Sequence, residues 1–385
     1  MQFAGADTAV VPKVDVLVAG LGPGGCAAAL AAHGEGLTTL AVEGRGPEAT
    51  RSRLVLVRPG AQEVLRQIGL PNITHGRRAS TIRQVEESLR GALSAAAGTP
   101  STAAASGSDP ATPPLSLCWH TRVVGLKPGP ESVLVTLLDG ATGQERRVEA
   151  RHVVDATGGR LEPLGRPARV RSGSSHYVAT AEYETPPWFD GIAGARDAAT
   201  GEILVLVPMR GRGSVTAYLD APPGGTSDRE TLLQRFEAVT RRLALGTPRE
   251  EVLAVDVVQR VLRSPSPDRV LPIGDSVGTV DLWLGAGMST AIEDALDAAR
   301  AIAVAQRKPR AADGLAHVRA ASARILARHR SRMRNGHLLL WVRPLVIRLW
   351  PAVPLEDVQR EAVGCPKVLW SAARLIIGGR PRSAS

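Results

Sequence analysis

The chain has 385 residues, of which 44% are hydrophobic and 22% charged, a composition typical of a globular protein with two or three domains. Aromatic residues make up only 3%, which argues against nucleic-acid binding by base stacking, and the three cysteines, Cys26, Cys118 and Cys365, are too widely spaced for a disulfide framework or a zinc cluster. The net charge of +10 comes from the C-terminal part, since residues 300–385 hold 17 Lys/Arg against 4 Asp/Glu while the rest of the chain has a balance of −3.

No segment is typical of a secreted or membrane-spanning protein. The first residues, MQFAGADTAVVPK, lack a basic segment followed by an apolar core, and no uncharged apolar run reaches the ~18 residues that cross a bilayer. We therefore expect a cytoplasmic protein.

The first predicted elements form one βαβ unit. Residues 14–20, VDVLVAG, are short, apolar and rich in β-branched side chains, which is typical of a buried parallel strand. An alanine-rich helix begins at Cys26 and stops near Gly34 and Gly36, and a second strand, LTTLAV, leads to Glu43.

Glycines connect this strand and helix in the pattern Gly20-x-Gly22-x-x-Gly25. Gly20 permits a tight turn, Gly22 lets the backbone approach a pyrophosphate, and Gly25 allows the helix to pack closely on the strand. The N-terminus of the helix supplies N–H groups and a positive dipole end for phosphate. Glu43 follows the second strand, 23 residues after Gly20, where an acidic side chain binds a ribose hydroxyl. This unit predicts a dinucleotide site.

The middle of the chain predicts helices over 60–70 and 81–93, a loop rich in Ala, Ser, Thr, Pro and Gly over 94–116, and a β-meander that ends in HVVDATGG. A second region, 166–260, combines three strand-like segments with one helix, DRETLLQRFEAVTRRLALG. We expect an antiparallel sheet with helices in this second region.

A second glycine-rich segment lies far along the chain, in IGDSVGTVDLWLGAGMSTAIEDALDAA at 273–299. Asp275 follows a short apolar strand and can accept hydrogen bonds from sugar-like hydroxyls. The helix that begins near Gly287, Met288 and Ser289 directs its N-terminus towards a developing anion. An ordinary capped helix after a loop explains the same pattern, so this segment alone leaves both interpretations open.

The C-terminal part, 311–378, predicts basic helices. Its apolar segment LLLWVRPLVIRLWPAV, 338–353, contains two arginines and two prolines and is too interrupted for a membrane span. Three interpretations stay open: a helix that packs on the body with a solvated basic face, an interfacial segment on an acidic membrane surface, and a docking surface for an acidic partner such as an acyl carrier protein. No nucleic-acid motif accompanies the charge, so we expect no nucleic-acid partner.

The combination of GLGPGGCAAA, LAVEGR, an arginine before a helix and GD…GAGMSTAIEDA resembles the FAD-dependent oxidoreductases of the para-hydroxybenzoate hydroxylase and geranylgeranyl reductase type. The resemblance covers 14–160 and 265–305. It implies that FAD is the cofactor and that NAD(P)H is a candidate electron donor.

The resemblance also implies which residues hold FAD. The first glycines would bind the pyrophosphate, Glu43 the adenosine ribose and Asp275 the ribityl chain. The backbone at 287–289 would face the N1–C2=O edge of the isoalloxazine, and Arg83 or Gln84 would lie near the cofactor. The expected cofactor-binding residues are Gly20, Gly22, Gly25, Glu43, Arg45 of the LAVEGR motif, Arg53 on the flavin side, Arg83, Asp275, Gly287 and Met288.

Three departures from the family pattern bear on the activity. Asp155-Ala-Thr-Gly stands where hydroxylases carry an Asp-Gly motif linked to both FAD and NAD(P)H, which leaves direct use of NAD(P)H open. The segment 278–283, GTVDLW, replaces a proline-bearing stretch that flanks the reactive face of the ring. The GxWxWxIP signature of the related halogenases is missing, which argues against halogenation.

The sequence therefore predicts an α/β protein with a helical C-terminal segment. We expect a Rossmann-like, discontinuous FAD-binding domain at 1–165 and 262–310, an inserted α+β substrate domain at 166–261, and a basic helical segment at 311–385. The substrate site is expected between the two domains.

The expected function is that of an FAD-dependent, monooxygenase-like oxidoreductase acting on an apolar small molecule in natural-product tailoring. The alternatives are a non-redox cyclase of the polyketide [4+2] type, in which the flavin is structural, and a flavin-carrying binding protein without turnover. The eight histidines lack metal-ligand spacing, so no metal is expected, and no catalytic residue is assigned. Candidates to line the substrate cavity are His176, Arg210, Tyr218 and Asp281, of which Asp281 would oppose flavin reduction by facing the ring.

Overall fold

The structure is a computed structural model, and along its last helix the side chains are described as far as Arg334. It describes residues 11–48, 54–71, 79–98, 115–158, 169–171, 176–187, 189, 193–196, 203–209, 213–220, 228–257, 260–266, 269–279, 287–308 and 310–349.

These residues form six α-helices, sixteen strands and a 3-10 turn at Gly274–Ser276. The helices are α1 (Pro23–Gly34), α2 (Pro59–Gln67), α3 (Ile82–Gly98), α4 (Arg229–Arg242), α5 (Gly287–Gln306) and α6 (Ala311–Leu349). The strands are β1 (Lys13–Ala19), β2 (Thr39–Val42), β3 (Leu54–Leu56), β4 (Ala79–Thr81), β5 (Leu115–Cys118), β6 (Thr121–Pro128), β7 (Val133–Asp139), β8 (Glu145–Asp155), β9 (Arg169–Arg171), β10 (His176–Glu184), β11 (Ala193–Arg196), β12 (Ile203–Met209), β13 (Ser214–Asp220), β14 (Leu253–Val257), β15 (Arg260–Leu262) and β16 (Val270–Pro272).

The largest sheet contains seven of the described strands, in the order β5-β2-β1-β8-β7-β6 with β16 beside the end of β8. Strands β5, β2, β1, β8 and β16 run parallel. In the meander, β7 is antiparallel to β8 and β6 is antiparallel to β7. Strand β1 is buried on both faces, since Val16 and Val18 face one hydrophobic core and Leu17 and Ala19 face another. This double burial explains why its sequence is continuously apolar.

Two alanine-rich helices, α1 and α5, pack together on one face of this sheet. They approach closely because small residues meet: a Cβ added to Gly24 would lie 2.8 Å from the Cβ of Ala291. Gly24 and Ala291 both lie near the beginning of their helix, so the N-termini of α1 and α5 are neighbours. This packing brings the two glycine-rich segments of the sequence to one place.

A separate antiparallel sheet follows in the order β11-β12-β13-β10-β14. Helix α4 covers one of its faces, where Phe236 and Leu232 pack against Tyr183, Ala217 and Leu219. The helix begins at an N-cap, Asp228, whose carboxylate accepts a hydrogen bond from the backbone N–H of Thr231 at 2.7 Å.

Two short ribbons complete the described strands. Strand β9 pairs with β15 where the chain leaves the first sheet and returns to it, and β3 pairs with β4, which contacts β12 of the second sheet. The expected domain limits near 165 and 262 stay predictions, and the β9–β15 pair lies close to them.

The predicted α/β fold with a parallel sheet and a helical C-terminal region is confirmed. The loop predicted over 94–116 was too long at both ends: α3 continues through Gly98, because its last residues are mostly alanine, and 115–118 form strand β5. Within the part of the chain that is described, no helix has both the length and the hydropathy needed to cross a bilayer.

Candidate functional site

The first glycines form a tight junction between β1 and α1. Gly20 has a φ of +93°, and a Cβ added there would lie 2.7 Å from the carbonyl oxygen of Ala156. A Cβ on Gly25 would lie 1.8 Å from the carbonyl oxygen of Gly20. The fold of the turn therefore requires glycine at both positions.

Gly22 has a different environment from its two neighbours in the motif. A Cβ added to Gly22 would meet no heavy atom within 4 Å, and Gly22 caps α1 without a side-chain hydrogen bond. The first N–H groups of a helix have no partner inside the helix, and its N-terminus carries a positive dipole end. The space beside Gly22 therefore suits the pyrophosphate that the sequence predicts.

Glu43 joins the end of β2 to the glycine turn. Its side chain is buried, and Oε2 accepts a hydrogen bond of 2.8 Å from the backbone N–H of Leu21. Oε1 accepts from both the backbone N–H and the Nε of Arg45, at 3.1 and 3.0 Å. Glu43 and Arg45, both predicted at the cofactor site, are thus one unit beside the first glycines.

This unit keeps the carboxylate of Glu43 ionised. Burial by itself would raise the pKa of Glu43, but the hydrogen bonds from Arg45 and from the N–H of Leu21 outweigh burial and hold the pKa below its ordinary value. An ionised carboxylate is an acceptor only, and each of its oxygens can accept more than one hydrogen bond. Glu43 is therefore suited to bind ribose hydroxyls while it supports the turn.

The second glycine segment turns sharply against α5. Gly274 has a φ of +56°, and a Cβ added to it would lie 2.7 Å from the Cβ of Ala291. The same alanine contacts Gly24 of α1, so the turn at 274–276 and the N-terminus of α1 lie on either side of one residue of α5.

Asp275 lies in this turn with an exposed side chain. A Cβ added to Gly287, the first residue of α5, would lie 4.0 Å from Asp275 Oδ1. A Cβ added to Gly158 would lie 3.9 Å from the Cβ of Asp275. Met288 is half-buried and packs on the core shared by α1 and α5. The structure thus brings Asp275 close to Gly287, the residue before Met288, and the role of all three at the cofactor site stays a prediction.

A hydrogen-bond network that the sequence analysis missed connects this turn to the end of β8. The hydroxyl of Ser276 donates to Asp155 at 3.0 Å and accepts from the backbone N–H of Gly158 at 3.0 Å. Asp155 also accepts from the backbone and the hydroxyl of Thr157, at 3.1 and 2.7 Å. Asp155 therefore holds the Asp-Ala-Thr-Gly segment and the Gly-Asp-Ser turn together.

The N-terminus of α5 is held by two other helices. The backbone N–H of Arg58, the N-cap of α2, donates to Ser289 Oγ at 3.0 Å. Arg332 of α6 hydrogen-bonds to Thr290 Oγ1 and contacts Glu293 at 2.6 Å. Burial, with repulsion from Arg332, lowers the pKa of Arg58.

The remaining arginines of the prediction have different outcomes. Arg83 of α3 forms an ion pair of 3.3 Å with Glu250, which precedes β14 of the second sheet. The structure thus places Arg83 where the two sheets of the molecule meet, and its role towards FAD stays a prediction. Arg53 lies outside the described residues.

The face of the second sheet that points away from α4 is polar. Thr180 and Glu182 on β10 pair in register with Tyr218 and Thr216 on β13. Because side chains alternate along a strand, these four lie on one face, opposite the core residues between them. Glu182 is buried and accepts a hydrogen bond of 2.5 Å from Ser214 Oγ.

The predicted cavity residues are only partly placed by the structure. Tyr218 belongs to this polar face and is half-buried, and His176 is the first residue of β10. Arg210 and Asp281 lie outside the described residues, as does the whole of the segment 280–286. Among the residues that are described, no group of His, Cys, Asp and Glu is arranged to hold a metal ion.

The buried Asp294 and His329 form a cluster with the half-buried Arg328 that sequence reasoning also missed. The cluster lies behind the turn at 274–278 and joins α5 to α6. The signal available was Asp294 in the middle of an apolar helix face, but its partners lie 34 and 35 positions along the chain. Spacing within a single helix does not show such a contact.

These observations fit a bound dinucleotide. The space at Gly22 accepts a pyrophosphate, Glu43 is ionised and adjacent to it, and Asp275 lies at the N-terminus of a second helix. The two helix N-termini are held together through Ala291, so they can act on the same ligand.

Comparison with known proteins agrees with this fit. A family model described as an FAD binding domain matches residues 13–329. A comparison with curated proteins gives no match.

Three solved structures show the same fold. PqsL, described as a probable FAD-dependent monooxygenase from Pseudomonas aeruginosa, is 20% identical with a TM-score of 0.66, covering 90% of this chain and 98% of its own. The flavin-dependent monooxygenase PieE, solved in complex with FAD and substrate, is 17% identical with a TM-score of 0.66, covering 94% of this chain and 72% of its own. The rebeccamycin biosynthetic enzyme RebC, in its substrate-free form, is 18% identical with a TM-score of 0.66, covering 96% of this chain and 76% of its own. At these identities the likeness shows the fold alone.

Proposed function

Since the chain belongs to the family defined by this FAD binding domain, with FAD as its cofactor, we propose that it is a monooxygenase that oxidises a small, largely apolar organic molecule in natural-product tailoring. The observation that carries the proposal is the convergence of two glycine segments and two acidic side chains, Glu43 and Asp275, at the paired N-termini of α1 and α5.

The residues of this chain have separate roles towards FAD in the proposal. The N-terminus of α1 binds the pyrophosphate, Glu43 accepts hydrogen bonds from the adenosine ribose, and Asp275 accepts from the ribityl chain. The N-terminus of α5 faces the flavin and stabilises negative charge there. Bound FAD would supply the redox chemistry, taking electrons from a donor and passing them to dioxygen.

The second sheet supports the substrate part of the proposal. One of its faces is occupied by α4, so in the proposal the substrate lies on the side of the other, where the buried Thr180 and Thr216 and the half-buried Tyr218 carry hydroxyl groups. Hydroxyls that accept or donate orient a ligand that is otherwise held by apolar contacts. We therefore propose an apolar molecule that carries at least one hydrogen-bonding group.

The natural-product assignment is supported by the fold neighbours. RebC is named as a biosynthetic enzyme of rebeccamycin, and PieE as a flavin-dependent monooxygenase with a bound substrate. These names describe those proteins, and they favour a tailoring role for a chain of the same fold.

The test separates a monooxygenase from a cyclase and from a binding protein. The FAD-loaded protein would be mixed with NADPH or NADH and a panel of small phenols and polycyclic aromatic compounds, under isotopically labelled dioxygen and under nitrogen. We expect a product that has gained one labelled oxygen atom, formed only when both dioxygen and a reductant are present. Product formed under nitrogen with oxidised flavin would instead establish the cyclase alternative.

The electron donor is a separate part of the proposal. The carboxylate of Asp155 holds Thr157 and Ser276, and the Asp-Gly motif of the hydroxylases is replaced here, so we expect free NAD(P)H to reduce the flavin slowly. The same panel measured with a chemical reductant or an added flavin reductase would then give faster product formation. Fast reduction by NADPH alone, accelerated by a substrate, would contradict this part and leave the monooxygenase proposal in place.

A further inference from the structure

The C-terminal basic helix, α6, contacts the turn at 274–278, which carries Asp275, through a buried histidine. His329 of α6 is 1% exposed, and its Nδ1 lies 2.9 Å from the carbonyl oxygen of Gly278. A carbonyl oxygen only accepts hydrogen bonds, so Nδ1 is the donor. On the other side of the ring, Nε2 lies 2.7 Å from Asp294 Oδ2.

Asp294 connects His329 to Gly274, at the other end of the same turn. Its carboxylate is fully buried, and Oδ2 also accepts from the backbone N–H of Gly274 at 3.1 Å. Oδ1 accepts from Arg328 at 2.6 Å, and Arg328 in turn contacts Asp297. Gly274 and Gly278 are therefore joined through Asp294 and His329, which closes a ring of hydrogen bonds around the turn that carries Asp275.

The last residue of the turn, Gly278, and Thr279 after it are held on β15 by hydrogen bonds. Gly278 pairs with Val261 of β15, and the backbone N–H of Thr279 donates to the carbonyl of Arg260 at 2.8 Å. Arg330, the residue after His329, hydrogen-bonds to the carbonyl oxygens of Leu262 and Arg263. Consecutive residues of α6 thus hold the turn and the strand on which it ends.

Packing alone does not explain a buried acid and a buried histidine, joined to a half-buried arginine, at this position. Burying such polar groups costs free energy that an apolar cluster of the same volume would avoid. The hydrogen bonds, unlike apolar contacts, set the direction of the backbone at Gly274 and Gly278. The residue whose place they set is Asp275, at the N-terminus of α5.

We propose that His329 is a positioning residue for FAD: through Asp294 and Gly278 it fixes the turn 274–278 so that Asp275 and the N-terminus of α5 meet the cofactor together. The C-terminal basic helix is then part of the FAD site, and Arg328 and Arg332 act inside the molecule rather than on a docking surface. The inference concerns FAD binding and is independent of the reaction proposed above.

The experiment measures FAD binding to three single variants by titrating the apoprotein and following flavin fluorescence, with the visible spectrum and the midpoint potential of the bound flavin as further readouts. His329→Ala removes both contacts, and His329→Gln keeps the size and one of them. His317→Gln is the matched control, because His317 is exposed on the same helix and contacts only the carbonyl of Asp313 of that helix.

For both His329 variants we expect the Kd for FAD to rise by about tenfold or more and the spectrum and potential of the bound flavin to shift, with no change for the His317 control. A His329→Gln protein that folds and binds FAD with the wild-type Kd, spectrum and potential would overturn the proposal, whatever the behaviour of His329→Ala.

A double-mutant cycle separates positioning from general stability. If His329 acts through Asp275, the double variant with Asp275→Asn and His329→Gln should bind FAD no more weakly than Asp275→Asn alone, because the contact that His329 positions is already lost. Losses of affinity that simply add, together with a lowered melting temperature, would show a structural role only and refute the inference.

Discussion

At the residue scale, the glycines of the first turn divide into two kinds. Gly20 and Gly25 are needed by the chain itself, because a side chain at either position would meet backbone at 2.7 or 1.8 Å. A Cβ on Gly22 would meet nothing within 4 Å, so the chain does not need glycine there, and we expect the ligand to need it. The sequence pattern predicts this division, and the close contacts of Gly20 and Gly25 beside the open space at Gly22 agree with it.

This difference predicts opposite outcomes for two substitutions. Gly22→Val should leave the apoprotein folded and abolish FAD binding, since the added carbons occupy the space of the pyrophosphate. Gly25→Ala should destabilise the fold, because a Cβ cannot be accommodated 1.8 Å from Gly20 O. Circular dichroism and thermal melting of the apoproteins, beside the FAD released on denaturation, distinguish the two. A yellow, fully loaded Gly22→Val protein would contradict the assigned site.

His152 of β8 makes the stability of the first sheet depend on pH. Burial, with the nearby Arg269 and Arg151, lowers the pKa of His152 to about 4 from an ordinary value of 6.5. Below 6.5 the unfolded chain binds a proton that the folded chain does not, so stability falls as the pH drops from 6.5 towards 4, by up to about 3 kcal/mol.

His152→Leu should flatten this dependence, because leucine cannot take up the proton in the unfolded state. Urea unfolding at several pH values between 4 and 7 measures the slope, and His317→Gln on the surface of α6 serves as the control. Parallel stability curves for wild type and His152→Leu would show that another group causes the pH dependence.

At the scale of elements, the structure joins segments that are distant in sequence. The βαβ unit, the meander and α5 are predictable because each is specified by local periodicity, glycines and helix formers. Glu43 and Asp275 are predictable for the same reason, since each directly follows an apolar strand. Ser276, Asp294 and His329 are not, because their partners lie 121, 34 and 51 positions away and no local pattern marks them.

Ser276→Ala should show the value of one such contact. It removes the hydroxyl that donates to the buried carboxylate of Asp155 and accepts from the N–H of Gly158, and each such hydrogen bond contributes about 0.5–1.5 kcal/mol. We expect a lower free energy of unfolding and weaker FAD binding. Ser88→Ala, where an exposed hydroxyl bonds only to its own helix, should change neither. Equal melting temperatures for the two variants would contradict the argument.

At the scale of the whole molecule, Arg83 and Glu250 link the two sheets by a partly exposed ion pair. Such pairs contribute about 0.2–1 kcal/mol, so neither partner is essential for stability. The resemblance to the flavin oxidoreductases also places Arg83 near FAD, a role that Glu250 does not share.

Two matched variants test this second role. Arg83→Gln should weaken FAD binding and Glu250→Gln should not, while both lose the same ion pair and melt at similar temperatures. Calorimetric titration of the apoproteins with FAD gives the comparison. Equal affinities for the two variants would limit Arg83 to contact between the sheets.

Part of the positive charge of the C-terminal segment is already paired within the folded molecule. Three of its arginines, Arg328, Arg330 and Arg332, contact α5 and β15, and of these Arg330 is exposed, as are Arg324 and Arg334. The acidic carrier protein and the membrane surface stay predictions, and either would have to use the exposed arginines. Charge counted along a sequence does not show which side chains are already paired.

The position of β16 and α5 has a consequence for how the protein is made on the ribosome. Strand β8 ends at Asp155, yet the strand that pairs beside its end and the helix that covers α1 are complete only at Pro272 and Gln306. At ordinary translation rates that interval lasts roughly 8–30 s. Throughout it the nascent chain displays an unpaired strand edge and an uncovered apolar helix face, which are the surfaces that chaperones bind. We therefore expect flavin to be loaded only after α5 has been synthesised.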